Sequence, residues 1–264
     1  MIHCRLCGRL LIPLLRAALL LIAAVADGAH AAVSSWSDLE SRIQYAAYTE
    51  DTRTLGELHA AVAAMPEDVW RDYYLALTDY RLAHVAGSGA GAAGQTSAAD
   101  SHRAGEAAAE CVALLTQALH GLPDNAEYLA LQAGCMDERV RLRPLDIPFT
   151  AARARIQMLR ALQLAPANPR VQLLRARQDR EHPAAAQDRA RATSEMQQAV
   201  AAFERERLST HSQPAWGLPE AYVELARARL DGGDALAARE ALEHALLLVP
   251  DFVDAHRLLA RITS

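Results

Sequence analysis

The amino-acid sequence predicts an all-α protein built from pairs of antiparallel helices. Its 264 residues are rich in Ala, Leu, Arg and Glu, which are strong helix formers. No run of alternating β-branched residues is long enough to indicate a sheet. Apolar residues recur at helical spacing instead, and the runs end repeatedly at Gly or Pro, which terminate helices. We therefore expect helices throughout residues 32–264.

Residues 219–250 show the pattern of one helix pair most clearly. Positions 4, 7, 8, 20, 24 and 27 of this stretch hold, in order, Tyr222, Leu225, Ala226, Ala238, Leu242 and Ala245. The small residues stand where two helices approach closely, and larger side chains there would cost about 1–3 kcal/mol. Gly232, Gly233 and Asp234 predict the turn between the helices, and Pro250 ends the second helix.

This spacing resembles the tetratricopeptide repeat (TPR), a helix pair with a period of about 34 residues. Arg229 departs from the pattern at position 11, where the family usually has Tyr. One helix pair cannot bury its own apolar face, so repeats of this kind stack on neighbours. The resemblance therefore implies a TPR-like right-handed superhelical solenoid of antiparallel helix pairs.

The prolines that end successive pairs indicate how many repeats the chain holds. Three intervals of 57, 43 and 84 residues separate Pro66, Pro123, Pro166 and Pro250. These intervals correspond to one, one and two TPR periods with insertions of 23, 9 and 16 residues. We therefore expect about five helix hairpins and a C-terminal capping helix over residues 32–264.

Two insertions are predicted to interrupt the helices. The first, near 86–102, is rich in small residues and reads as a flexible linker. It contains G-x-G-x-x-G at 89–94, but a helix rather than a strand precedes this motif, which argues against a dinucleotide site. The second insertion, 140–150, contains two prolines and is predicted to be non-helical, with the next helix beginning at Ala151.

Residues 1–31 are predicted to be a secretory signal peptide. Arginines precede an apolar core, and Ala29-His30-Ala31 offers a cleavage site. We expect export by the general secretory route, with cleavage near Ala31 and a periplasmic or secreted mature protein. The alternative is an uncleaved segment, which would be the chain's single contact with a membrane. The remaining chain has 24 Arg and 31 acidic residues, a balance that argues against nucleic-acid binding.

Further features resemble uncharacterised exported bacterial TPR-containing proteins. The shared marks are the aromatic helix at 71–83, a proline-containing bulge before the third pair's second helix, the N-P-R-V sequence at 168–171, and Trp216-Gly217 before the last full repeat. This resemblance implies a fold and an export route, and it implies no reaction.

No catalytic or metal-binding motif stands out. The chain has no lysine, which excludes Schiff-base and Walker A chemistry. The mature sequence contains no H-E-x-x-H, no C-x-x-C and no G-x-S-x-G, and its histidines are scattered singly. We therefore predict a protein that is not an enzyme and that has no cofactor and no metal site.

Binding in a concave groove is the function that the predicted architecture favours. Stacked first helices of TPR pairs commonly form such a groove for a peptide or protein partner. The family's carboxylate clamp uses Lys and Asn, for which Arg could substitute. The candidate contacts are three aromatic and three basic residues: Tyr73, Tyr80, Trp216, Arg170, Arg175 and Arg177. Core packing of the aromatic residues and solvation of the arginines are the competing interpretations.

Two function hypotheses follow from this sequence. The first is a non-catalytic protein–protein interaction scaffold or adaptor of the bacterial cell envelope. The alternative is an accessory subunit of an envelope enzyme that binds a small molecule or cell-wall fragment, with the insertions 86–102 and 140–150 forming the site. The sequence names no particular partner and indicates no oligomeric state.

Cys111 and Cys135 are the cysteines of the predicted mature chain. They lie on helices that are expected to pack together. In an oxidising compartment a disulfide between them would stabilise the fold by about 3 kcal/mol. The other interpretation is a pair of buried thiols at close-packed positions.

Overall fold

The computed structural model describes residues 35–88, 97–142, 147–181, 183, 186–208 and 214–263. The chain divides into two compact units, Met1–Ser35 and Trp36–Ser264, and the described helices belong to the second. The predicted signal peptide at 1–31 and the glycine-rich motif at 89–94 lie outside the described residues.

The described residues form eleven helices and no strand, which confirms the all-α class. The helices are α1 (Trp36–Tyr48), α2 (Thr52–Ala63), α3 (Val69–Gly87), α4 (Ala98–Gly121), α5 (Ala126–Leu142), α6 (Ile147–Leu164), α7 (Pro169–Glu181), α8 (Ala186–Arg207), α9 (Leu218–Asp231), α10 (Ala235–Leu248) and α11 (Val253–Thr263). None of these helices combines the length and the apolar character that a membrane span requires.

The helices pack in pairs that follow the chain. Each odd-numbered helix from α1 to α9 contacts the even-numbered helix after it. The odd-numbered helices also contact one another in sequence, from α1 through α3, α5 and α7 to α9. These helices therefore form a continuous row, which we call the inner row, and α11 follows the last pair by packing on α10.

Capping side chains set the beginnings of several helices. Asp68 accepts a hydrogen bond from the backbone N–H of Arg71 at 2.8 Å, and Asp234 accepts one from Ala237 at 3.0 Å. Both contacts satisfy a helix N–H that has no partner within its own helix. Gly233, with φ of 81°, lies in the predicted turn before α10, in the left-handed region that favours glycine.

The first insertion differs in extent from the sequence prediction. α4 begins at Ala98, five residues before the predicted start near Arg103. Ser97 explains this boundary, because its hydroxyl accepts a hydrogen bond from the backbone N–H of Asp100 at 3.0 Å. The insertion is therefore partly helical.

The prediction of a helix start at Ala151 is wrong. The structure begins α6 at Ile147, with Pro148 as its second residue. A proline is tolerated in the first turn of a helix because the backbone N–H there has no intrahelical acceptor to lose. The rule that prolines interrupt helices therefore applies here only outside the first turn.

Small and sulphur-containing residues occupy the closest contacts between helices. Ala226, Ala238 and Ala245 are fully buried, as expected for positions where helices approach closely. Cys111 on α4 and Cys135 on α5 form a disulfide, with their Cα atoms 6.1 Å apart. The disulfide joins the second helix pair to the third.

The first helix contacts the last repeat. The hydroxyl of Tyr48 donates a hydrogen bond to Glu220 on α9 at 2.8 Å, and its ring centroid lies 4.7 Å from that of Phe252. Arg257 on α11 donates to Glu50, next to the end of α1, at 2.7 Å. Side chains of the first helix are therefore joined to the last repeat, and a partly open cavity lies beside these contacts.

Candidate functional site

This partly open space, here called the central cavity, has a volume of about 300 Å³. Residues from α1, α3, α5, α7, α9 and α11 line it, so every inner helix contributes. Part of the wall is apolar and consists of Val85, Leu173, Leu174, Val223, Phe252 and Leu258. A cavity of this size and lining can hold a small organic molecule or the end of a peptide.

The rest of the wall carries many charges of both signs. Its arginines are Arg81, Arg141, Arg177, Arg227, Arg257 and Arg261. Its carboxylates are Glu50, Glu181, Glu220, Glu224 and Asp254, and one histidine, His84, lies among them. The two signs nearly balance, so the inner charges stabilise each other and the wall is polar without a large net charge.

Arg177 is the centre of this network. Its guanidinium donates to the hydroxyl of Tyr80 at 2.8 Å, to Glu138 at 3.1 Å and to Glu181 at 3.2 Å. Burial raises the pKa of Tyr80 to about 12, so its hydroxyl stays protonated. These contacts fix the planar guanidinium between α3, α5 and α7.

Glu138 is ionised although it is buried. Burial alone would raise its pKa, but the positive charges of His84 and Arg141 lower the pKa well below the usual range. His84 Nδ1 lies 2.9 Å from the Glu138 carboxylate, and Arg141 donates to the same carboxylate at 2.8 Å. The imidazole thus lies directly against the carboxylate.

Glu224 repeats this arrangement on α9. Burial would raise its pKa, and the neighbouring guanidinium groups of Arg180, Arg177 and Arg227 lower it instead. Arg180 donates to this carboxylate at 2.8 Å. The inner carboxylates are therefore structural anions that hold the cavity arginines in place.

Arg81 links α1, α3 and α9 across the cavity. It donates to Gln44 at 2.6 Å and to Glu220, and its guanidinium lies 5.0 Å from the ring centroid of Trp216. Its Nε atom is buried and has no hydrogen-bond partner among the described residues. One donor in the cavity wall is therefore unsatisfied.

The segment before α9 places Trp216 in the wall. The Trp216 ring N–H donates to the hydroxyl of Tyr73 at 2.8 Å, and the backbone N–H of Ala215 donates to Glu40 at 2.7 Å. Gly217 has φ of 121°, and a Cβ atom there would lie 2.3 Å from Phe203. Only glycine fits this turn without strain, which explains the Trp-Gly sequence.

The structure places three of the predicted contact residues in the cavity wall and three outside it. Tyr80, Arg177 and Trp216 line the cavity. Tyr73 is buried, and its hydroxyl lies 3.3 Å from Glu127. Arg175 forms an ion pair with Asp179 on its own helix at 2.7 Å.

Arg170 is used inside the protein. It is 3% exposed, donates to both oxygens of Glu206 at 2.7 and 2.8 Å, and donates to Glu127 at 2.8 Å. This fork joins α5, α7 and α8 and leaves the side chain no surface for a partner. Its role in the structure is to hold three helices together.

Sequence reasoning did not identify Arg81, Glu220, Glu224 or Phe252 as cavity residues. They come from α3, α9 and the start of α11, and they meet because the first helix contacts the last repeat. No local spacing encodes that closure, since Tyr48 and Glu220 are separated by 172 positions.

Comparison with known proteins gives fold information only. The sequence matches no protein-family model and no curated protein. The structure is similar to the HusA haemophore from Porphyromonas gingivalis, with a TM-score of 0.54, 21% identity, and coverage of 73% of this chain and 92% of that one. It also matches an assembly chaperone of RpL4 (Acl4, residues 1–338), with a TM-score of 0.40, 16% identity, and coverage of 95% and 94%. The haemophore likeness shows a shared helical fold.

Proposed function

We propose that this protein is a non-catalytic binding protein whose central cavity takes a small organic ligand with an apolar body and an anionic group. The observation that carries this proposal is a partly open cavity of about 300 Å³ with both an apolar wall and several arginines. Small-molecule sites typically occupy about 300–1,000 Å³ and combine apolar lining with a few convergent polar groups.

The anionic group of the ligand would bind at the solvent side of the cavity. Arg257 is the arginine best suited to this role, because its side chain is 41% exposed while it lines the cavity. A guanidinium matches a carboxylate or phosphate with two parallel hydrogen bonds. The apolar body of the ligand would then contact Phe252 and Leu258.

The absence of a catalytic role is part of the same proposal. His84 is the histidine of the cavity wall, and it lies against both Glu138 and Arg177. Both contacts are made by Nδ1, so the imidazole is held in one orientation and gives no evidence for or against proton transfer. The expectation of binding without a reaction depends on the sequence, which contains no G-x-S-x-G and no H-E-x-x-H motif.

The TPR-like superhelix and the export of the chain also belong to this proposal. The pairing of neighbouring helices, the row of inner helices and the buried alanines support a TPR-like arrangement. The disulfide between Cys111 and Cys135 supports an oxidising compartment such as the bacterial periplasm.

A second candidate is a protein-interaction scaffold that accepts the C-terminal end of a partner. The exposed part of Arg257 favours it, since a terminal carboxylate presents the same chemistry as a small acid. In this case only the last residues of the partner would enter the cavity.

The two candidates can be separated by one binding screen. Thermal melting is measured with a panel of small carboxylates and phosphates and with tetrapeptides that have a free or an amidated C-terminus. Compounds that raise the melting temperature are then titrated by calorimetry. Shifts confined to small acids support the first candidate, and shifts confined to free-carboxylate peptides support the second.

Charge variants locate the site in the same experiment. Arg257→Gln should weaken binding at least tenfold, because it removes one of the two exposed guanidinium groups in the cavity wall, the other being that of Arg261. Arg239→Gln is the matched control, since Arg239 is an ion-paired, half-exposed arginine on α10 that is not among the cavity residues. The proposal would be contradicted if Arg257→Gln bound the ligand as tightly as wild type does. It would also be contradicted if no compound in the panel raised the melting temperature.

A further inference from the structure

A second cluster of polar groups lies away from the central cavity, where the first helix pair meets the second. His59 on α2, Asp79 on α3 and Glu110 on α4 bring one imidazole nitrogen and two carboxylate oxygens within 4.8 Å of one another. The closest approach is 3.2 Å, between His59 Nε2 and Asp79 Oδ1. None of the three residues lines the central cavity.

Asp79 is the unusual member of this cluster. Its side chain is 2% exposed, and His59 contacts one of its two oxygens. The other oxygen, Oδ2, is buried and has no hydrogen-bond partner among the described residues. A buried carboxylate oxygen left without a partner is costly, and such atoms commonly mark the position of a bound water or ion.

Two carboxylates lie close together in this cluster, and that of Asp79 is buried. The inner carboxylates Glu138 and Glu224 have arginine partners in this lysine-free protein. Within the described residues, no ion pair joins an arginine to Asp79 or Glu110. Asp79 therefore lacks the arginine partner that Glu138 and Glu224 have.

A simple ion pair between His59 and Asp79 explains only part of this geometry. His59 Nε2 can pair with one oxygen of Asp79, from which it lies 3.2 Å away. This ion pair leaves Oδ2 of Asp79 without a hydrogen-bond partner, and it does not involve Glu110. A divalent cation would contact all three groups and would neutralise both carboxylates.

We propose that His59, Asp79 and Glu110 form a binding site for a divalent transition metal ion, of which zinc fits best. Imidazole nitrogens and carboxylate oxygens are both zinc ligands, and a water molecule would complete the four ligands that Zn²⁺ takes. Mg²⁺ and Ca²⁺ prefer all-oxygen sites with more ligands. The ion would tie α2, α3 and α4 together, and it would thereby fasten the first helix pair to the second.

This inference departs from the sequence prediction that the chain has no metal site. The three residues are 20 and 31 positions apart on different helices, so no short motif reveals them. Only the packing of α2 and α4 against α3 brings them together.

The proposal is tested with untagged protein that has been dialysed against a chelator and then into metal-free buffer. Zn²⁺ is titrated by calorimetry at pH 7.5, and melting temperature is measured with and without one equivalent of Zn²⁺. Wild type should bind one equivalent at this site and melt at a higher temperature when zinc is present. Mg²⁺ at the same concentration should cause no comparable shift.

Three variants identify the ligands. Asp79→Asn and His59→Gln should each weaken this zinc site at least tenfold and abolish the melting shift. Glu110→Gln should do the same with little effect on folding, because Glu110 is exposed. It therefore keeps the test decisive if a variant at buried Asp79 fails to fold.

His102→Gln is the matched control. His102 lies on the same helix as Glu110 and contacts Glu106 at 3.1 Å in an exposed pair that lacks a third ligand. This variant should bind zinc as wild type does. The proposal is overturned if wild type binds no zinc, or if Glu110→Gln and His59→Gln bind it with unchanged stoichiometry and affinity.

Discussion

Tyr48 at the end of the first helix donates a hydrogen bond to Glu220 on α9, at 2.8 Å across 172 positions of sequence. Arg81 donates to the other oxygen of the same carboxylate. Glu220 therefore joins the first helix, the second helix pair and the last repeat at one point. All three side chains line the central cavity, so this junction shapes its wall.

Removing the Tyr48 hydroxyl should weaken the junction. Tyr48→Phe keeps the ring against Phe252 and deletes the hydrogen bond to Glu220. Because both partners are largely shielded from solvent, the free energy of unfolding should fall by about 1–2 kcal/mol. Chemical denaturation measures this difference.

Tyr45→Phe is the control for that experiment. Tyr45 lies on the same helix and donates to Asp251 at 3.0 Å, but it is 55% exposed. Water replaces its partner readily, so the loss should stay below about 0.5 kcal/mol. Equal losses for the two variants would show that the Tyr48 contact is no stronger than a surface hydrogen bond.

The ion pairs of the inner carboxylates predict sensitivity to acid. Arginine neighbours lower the pKa of Glu224 in the folded state, so the folded protein holds fewer protons than the unfolded chain. The stabilisation is complete above the unfolded pKa of about 4.3 and is lost as pH falls toward the folded pKa. Unfolding free energies between pH 7 and pH 2.5 should show this decline.

The variant Glu224→Gln isolates this contribution. Its unfolding free energy should be lower than that of wild type at pH 7, and the difference should shrink as pH falls below about 4. A difference that stays constant across this range would mean that the ionised carboxylate contributes no pH dependence to stability.

Asp137 should change the free energy of unfolding with pH in the opposite direction. Burial raises its pKa to about 7, while the hydrogen bond from Gln178 at 2.9 Å lowers it less. The folded state therefore binds a proton more tightly than the unfolded state, and this group lowers stability as pH rises from about 4 to 7. Asp137→Asn keeps the acceptor oxygen and removes the charge.

We therefore expect Asp137→Asn to be more stable than wild type at pH 8 by about 1–2 kcal/mol and nearly equal to it at pH 4. Denaturation curves at the two pH values provide the comparison. An Asn variant that is less stable at pH 8 would contradict the assignment of a raised pKa.

Gly217→Ala should be strongly destabilising. The new Cβ atom would lie 2.3 Å from Phe203, at a residue whose φ is 121°. Steric overlap and backbone strain together should cost more than about 2 kcal/mol. Gly56→Ala is the contrasting case, because Gly56 lies within α2 with open space around its Cα, so Ala should stabilise the helix by about 0.5–1 kcal/mol.

Local sequence patterns predicted the helices better than they predicted the site. Capping residues such as Asp68 and Asp234, and the small residues of 219–250, act within one or two turns of helix, so their effects can be read from spacing. Pro148 misled the prediction because the same residue either begins or breaks a helix, depending on its position in the first turn.

The site depends on contacts between distant parts of the chain. Arg170 and Arg177 lie seven residues apart on α7, yet Arg170 is buried against Glu206 while Arg177 lines the cavity. Their different roles follow from which helices pack on either side of α7. The same holds for His59 and Asp79, which meet only when two helix pairs are stacked.

Filling the central cavity tests the binding proposal most directly. Val223 lies on α9 in the cavity wall, so Val223→Phe would occupy part of the space that a ligand needs. Leu236→Phe adds a similar aromatic ring on α10, where residue 236 is exposed and outside the cavity. Both variants are first checked for wild-type helicity by circular dichroism.

Ligands that raise the melting temperature of wild type are then titrated into all three proteins by calorimetry. We expect wild type and Leu236→Phe to bind equally, and Val223→Phe to lose at least a hundredfold in affinity. Equal affinity in Val223→Phe with its helices intact would place the ligand outside the central cavity and contradict the account.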